Sequence, residues 1–221
     1  MAHRLRVVGI VAVLVGVVFA VGGFYGITQV NAGYDSLEAF SEAQNVELSY
    51  NDDGELVDRG STEGAEEIMD LLTDDWDYSV RKSEFDPDDP LVDTASEYMY
   101  QMATIATHVL HGTQTVELPE DVEYNGKTYE AGTYEFDVDG RYWTDFDRQD
   151  PIEGPARGLA WTGTAHGLIA ELGVGAVTAS ALQLGMTMSW LMVALGVSIL
   201  GLGLGLFWVG GAGFDPKGMT S

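Results

Sequence analysis

The sequence predicts an α+β membrane protein: two transmembrane helices carrying a small exoplasmic domain of helices plus an antiparallel hairpin sheet. Three observations lead there. No Asp, Glu, Lys or Arg interrupts the 43 residues from Leu172 to Phe214, and a second uncharged stretch runs from Val7 through Tyr34. Between them lies a strongly acidic segment. Within that segment, Thr115 to Tyr142 alternates apolar and polar residues with a period of two. A bilayer core of roughly 30 Å takes about 20 apolar residues at about 1.5 Å each, so the carboxyl-terminal run is too long for one simple span.

Charge and composition narrow the function classes. The chain carries −25 overall, and 34 of its 35 acids lie between Asp35 and Glu171 against seven basic residues, about −27 for that segment. Such a surface repels nucleic acid and anionic head groups, which excludes a nucleic-acid partner and suits a solubilising coat. Cysteine is absent, which removes disulfides, thiolate metal sites and cysteine nucleophiles.

The first element is a signal anchor. Arg4 and Arg6 precede the apolar stretch, and no small-residue cleavage site follows a short core. The expected division is residues 1–6 cytoplasmic, 7–30 the first transmembrane helix, 31–157 the acidic exoplasmic domain, 158–186 a helix leading to the membrane, 187–210 the second transmembrane helix and 211–221 a cytoplasmic tail carrying Lys217. This is a two-pass cell-membrane protein with both termini cytoplasmic. An alternative splits residues 172–214 into two short spans and sends the tail outside. On the first helix Gly9, Ala12, Gly16, Ala20 and Gly23 form a stripe of small residues, and on the second Ala194, Ser198, Gly201 and Gly205 continue one from Ser180 and Thr187. Small faces let helices approach closely in lipid, so these residues are the expected packing interface, against each other or a third protein.

In the acidic segment, a helix is expected over 37–43, a turn at Asn51-Asp52-Asp53-Gly54, and a short helix over 65–72 started by Ser61 or Thr62. Thr94-Ala95-Ser96-Glu97 is a capping box opening a helix that runs to Gly112, with Met99, Met102, Ile105, Ala106 and Val109 as its apolar face and Tyr98 alongside. Strands follow, with Asn125-Gly126 as a hairpin turn and further turns at Gly132 and Asp139-Gly140.

The order of an amino-terminal anchor, an exoplasmic helix with Thr107-His108-Val109-Leu110, the stretch Asp147-Arg148-Gln149-Asp150-Pro151 and a small-residue helix entering a second span resembles a family. It is similar to the uncharacterised two-span membrane proteins of actinobacteria, often labelled aromatic ring-opening dioxygenase, over mainly residues 90–210. The label implies non-haem iron chemistry, which needs several convergent ligands; this chain has four histidines, one of them His3 beside the anchor.

Candidate chemistry is sparse. His108 and His111, three apart on a helix, are placed to share a copper or zinc ion, with the helix dipole as the alternative reason for both. His166 and Glu171 lie five residues apart, about 140° around a helix, and share no face. Asp86-Pro87-Asp88-Asp89 and Asp137-Val138-Asp139-Gly140 are fragments of calcium loops and complete none. No catalytic residue and no cofactor-binding motif is indicated. The expectation is a non-catalytic accessory subunit of a larger integral-membrane complex, for example an oxidoreductase such as a membrane monooxygenase or a respiratory complex. Its partners are integral-membrane subunits and the lipid bilayer. The alternative is an independent exoplasmic metal-binding or sensing protein using His108 and His111.

Overall fold

A computed structural model of the chain describes residues 2–211; Lys217 and the expected cytoplasmic tail beyond 211 lie outside the described residues. The chain divides into two compact units, residues 2–39 with 179–211, and Phe40–Thr178.

The first unit is built from two helices, α1 (Ala2–Gln44) and α5 (Gly163–Gly211), both long and apolar enough to cross a membrane. At about 1.5 Å per residue, the 49-residue α5 is about 73 Å long and unbroken, so the division of 172–214 into two spans has no turn to stand on through Gly211. α1 is also continuous: the helix expected over 37–43 is its last turns. The two helices run antiparallel, and glycines set their approach. A Cβ at Gly9 would lie 2.8 Å from the Gly203 carbonyl oxygen, one at Gly16 2.8 Å from that of Gly196, and one at Gly23 2.7 Å from that of Ser189. Ala20 joins this contact, its backbone N 2.5 Å from a Cβ at Gly196. On α5 the contact is made by Ser189, Gly196, Gly203 and Gly210, spaced by seven. This corrects the expected face-to-face stripe. Ala194, Ser198, Gly201 and Gly205 are exposed, and a Cβ at Gly201 or Gly205 meets nothing within 4 Å. In a helix this rich in small residues two faces qualify, and only the partner's position selects one. The outward surfaces are apolar, with Val18 70% and Trp208 73% exposed.

The second unit is a mixture of helix and strand. Ser61 caps α2 (Thr62–Asp70) by accepting from Gly64 N, and a wide turn at Leu71–Asp75 ends that helix. α3 (Ala95–Leu110) begins at the capping box: Thr94 Oγ1 accepts from Glu97 N while Glu97 Oε2 accepts from Thr94 N at 3.0 Å. It stops one residue before His111, and Gly112 follows at a φ of +126°, which favours glycine. Burial on α3 goes well beyond the expected face. Tyr98, Tyr100, Ala103, Ala106 and Leu110 are all buried, whereas Met99, Met102 and Ile105 are half-buried. α2 packs against it, and Ser41 and Gly175 of the same unit meet its Tyr98.

Four short strands follow: β1 (Thr113–Leu118), β2 (Val122–Tyr124), β3 (Lys127–Tyr129) and β4 (Gly132–Asp137). They form two antiparallel ladders, β1 with β4 and β2 with β3. Asn125 and Gly126 both have positive φ, 50° and 74°, as the two-residue hairpin turn requires. Val116 of β1 packs with Ile152, which precedes α4 (Glu153–Ala160), and with Ala156 within it, and Leu118, Tyr129, Tyr134 and Phe136 complete that small core. The helix expected to run on from residue 158 is instead interrupted. α4 stops at Trp161, whose indole donates to the Arg141 carbonyl, and Thr162 Oγ1 accepts from Ala165 N to start α5 afresh.

Candidate functional site

The residues singled out from the sequence are distributed rather than gathered. His108 Nε2 lies 2.9 Å from Asp58 Oδ2, a pair fifty residues apart in sequence. His111 Nδ1 donates to the Thr107 carbonyl at 2.8 Å. The two rings are thus engaged with different partners, and among the described residues no group of three or more His, Asp or Glu is arranged to hold a metal ion. Asp86 Oδ1 accepts from Asp88 N and Asp137 Oδ1 from Asp139 N, so both acidic clusters close turns of their own backbone. His166 sits edge-on to Trp143, with ring centroids 4.6 Å apart, and 5.5 Å from Trp161. Glu171 lines a different feature.

That feature is a cavity of about 210 Å³ walled by Phe40, Val46, Val92, Ile105, Leu168 and Leu172. Its polar lining is Gln44, Gln101, Glu171 and the buried pair of Ser41 and Tyr98, whose hydroxyls are 2.6 Å apart. Gly175 leaves room for the Tyr98 ring, which any Cβ there would overlap. Burial raises the Tyr98 phenol above its usual range, against the hydrogen bond with Ser41, which acts to lower it.

Close to the start of the same helix, Glu97 is 2% exposed. Burial raises its carboxyl from the ordinary 4.5 to about 7, against the hydrogen bonds it accepts from Thr94 and Asp93. Burial and the nearby Glu97 charge push Tyr50 up to about 12, and Tyr100 is raised likewise by burial and by Asp58. The Tyr50 and Tyr100 hydroxyls are both buried without a hydrogen-bond partner.

The densest polar construction lies between β3 and α4. Tyr124 and Tyr129 donate to Asp147 and Asp150 at 2.8 and 2.7 Å, and both phenols are raised chiefly by those bonds. Asp150 Oδ1 also accepts from Ile152 N and Glu153 N. Burial acts to raise Asp150, but these bonds outweigh it and hold the carboxyl below its usual range. Glu153 takes Arg141 Nη1 at 2.7 Å and Asp147 N at 2.9 Å. The Asp147-to-Pro151 stretch thereby ties the hairpin to the first turn of α4. Sequence reasoning noted the stretch without its role, since the tyrosines that need it are some twenty residues away.

Beside this lies an aromatic groove lined by Trp76, Tyr142, Trp143 and Trp161 with Met102 and Ile169. Trp76 Nε1 donates to the Tyr142 hydroxyl at 2.9 Å, and Tyr142 stacks on Trp161. The Arg157 guanidinium lies 3.2 Å from the Trp143 ring centroid and that of Arg148 5.9 Å. Sequence reading missed this cluster, because its members are scattered over Trp76 to Trp161.

No protein family, curated protein or solved structure matches this chain.

Proposed function

We propose that the chain is a two-pass membrane protein, both termini cytoplasmic and its acidic domain exoplasmic, that serves as a non-catalytic accessory subunit of a larger integral-membrane complex. The observation that carries this reading is the second small face of α5. Its first face is already filled, Gly196 and Gly203 each lying against α1 backbone. Ala194, Ser198, Gly201 and Gly205 lie roughly 140–200° around the axis from it and are exposed. In hydrocarbon a small face gains little from lipid and much from a closely packed helix, so its partner is another membrane helix. The uncharged, outward-facing apolar surface of both helices supports insertion, and Arg4 and Arg6 at the amino terminus support its direction.

The test is purification from native membranes in mild detergent or nanodiscs, with mass spectrometry of co-purifying proteins and bound metals. A stoichiometric integral-membrane partner, lost from Gly201→Leu and Gly205→Leu chains, is the expected result. A chain that purifies alone overturns the reading, and one carrying about one copper or zinc per chain moves attention to His108 and His111.

A further inference from the structure

Arg148 and Arg157 lie in the acidic segment, which carries 34 of the chain's carboxylates. Acids are close at hand, yet each is committed elsewhere. Asp147 takes Tyr124, Asp150 takes Tyr129 and the α4 amides, Glu153 takes Arg141, and Asp145 takes Tyr142 N and the Thr144 hydroxyl. Among the described residues neither Arg148 nor Arg157 makes an ion pair, and Arg157 Nε is buried without a hydrogen-bond acceptor. A buried guanidinium N–H left unmatched is costly and calls for an acceptor. The two cations also disfavour each other: burial and the Arg148 charge lower the Arg157 pKa. An anion placed between them would relieve both costs.

Trp143 connects this pair to an apolar surface. Arg157 and Arg148 face its ring, and the same side chain lines the groove with Trp76, Tyr142 and Trp161. The Arg157 guanidinium is held over the Trp143 ring, 3.2 Å from its centroid, and a guanidinium carries five N–H donors in a fork that suits a planar or tetrahedral oxyanion. We propose that Arg148 and Arg157 bind the phosphate or carboxylate of an amphipathic anion whose apolar body lies along the Trp76–Tyr142–Trp161 groove. The surrounding negative charge then acts as a filter: a bare anion is repelled, and only one that also buries apolar area is retained. The proposal is independent of the accessory-subunit reading.

The chain has five tryptophans, and replacing Trp190 and Trp208 with Phe leaves Trp76, Trp143 and Trp161, all in the groove, as the only emitters. The full chain in this background, in nanodiscs of zwitterionic lipid, is titrated with phenyl phosphate, inorganic phosphate and benzyltrimethylammonium. Phenyl phosphate is expected to shift the emission saturably and to bind at least about tenfold tighter than inorganic phosphate. Arg148→Gln and Arg157→Gln should each weaken it about tenfold, the loss of a charge-assisted hydrogen bond. Arg148 is exposed, so its variant tests the site even if Arg157→Gln disturbs the fold. Competition by phosphatidylglycerol in the nanodisc identifies a lipid head group as the source of the anion, and its absence identifies a soluble one. No saturable response at millimolar phenyl phosphate, an unchanged response in Arg148→Gln, or equal binding of benzyltrimethylammonium overturns the proposal.

Discussion

A methyl group on Gly196 would lie 2.8 Å from the carbonyl oxygen of Gly16, closer than a real Cβ sits to any such atom. The reciprocal approach, Gly16 against the Gly196 carbonyl, is the same distance. Backbone is therefore packed on backbone at this crossing, and no side-chain motion relieves an insertion. Gly16→Leu should destabilise the helix pair by about 2–3 kcal/mol or more, through overpacking. Gly201→Leu, whose added atoms meet open space within the chain, should leave the melting midpoint within about 1 °C of the parent in detergent, on the scale of ordinary surface substitutions. Equal losses for both would mean that the helices pair through a different face.

Glu97 makes stability depend on pH. Its folded-state pKa of about 7 stands above the ordinary 4.5, so the folded chain holds the proton more tightly than the unfolded one. Its contribution is fully present below about pH 4.5 and is lost as pH rises through about 7, a change on the order of 3 kcal/mol. Glu97→Gln keeps an acceptor for Thr94 and removes the titration. Denaturant melts from pH 5 to 8 should show the variant gaining on the parent as pH rises; parallel curves would exclude a buried, titrating Glu97.

Tyr98 holds α3 to Ser41 through one buried hydrogen bond and fills the space beside Gly175. Tyr98→Phe keeps the ring and leaves Ser41 short of that partner, which should cost about 1–2 kcal/mol in chemical denaturation. Gly175→Leu forces the ring itself aside and should cost more. A smaller loss for Gly175→Leu than for Tyr98→Phe would contradict the tight contact.

Asp150 serves three donors: the Tyr129 hydroxyl and two amides at the start of α4. Asp150→Ala leaves the Ile152 and Glu153 amides without their acceptor and frees the hairpin from α4, so a loss of about 2 kcal/mol is expected. Asp147→Ala loses one tyrosine bond and the turn amide of Gln149, both in a more exposed setting, and should cost less than Asp150→Ala. Hydrogen exchange should locate the first loss at residues 124–129 and 152–156.

Several elements were legible before any fold was known. The capping box at Thr94 and Glu97, the Ser61 cap, the Asn125-Gly126 turn and the period-two strands all depend on residues within a few positions of one another. So do the two apolar stretches, since hydropathy is a property of the segment alone. The break at Trp161 was not legible. It depends on an indole bond to Arg141, and Gly158 through Gly163 reads locally as one helix.

The candidate sites divide the same way. His108 and His111 suggested a metal by their spacing, but spacing says nothing of Asp58, which occupies His108 from fifty residues away. The choice between two small faces on α5 depends on where α1 lies. The isolation of Arg148 and Arg157 depends on where four neighbouring carboxylates turn. The sequence by itself determined the two long apolar stretches, the capped helix starts at Ser61 and Thr94, the Asn125-Gly126 turn, the strands and the charge of the acidic segment, because short-range sterics, hydrogen bonds and hydropathy decide these. The tertiary structure alone decided which glycines touch, how deeply Glu97 is buried and which cations lack an acid. Each of those is a relation between distant segments, and no local pattern encodes it.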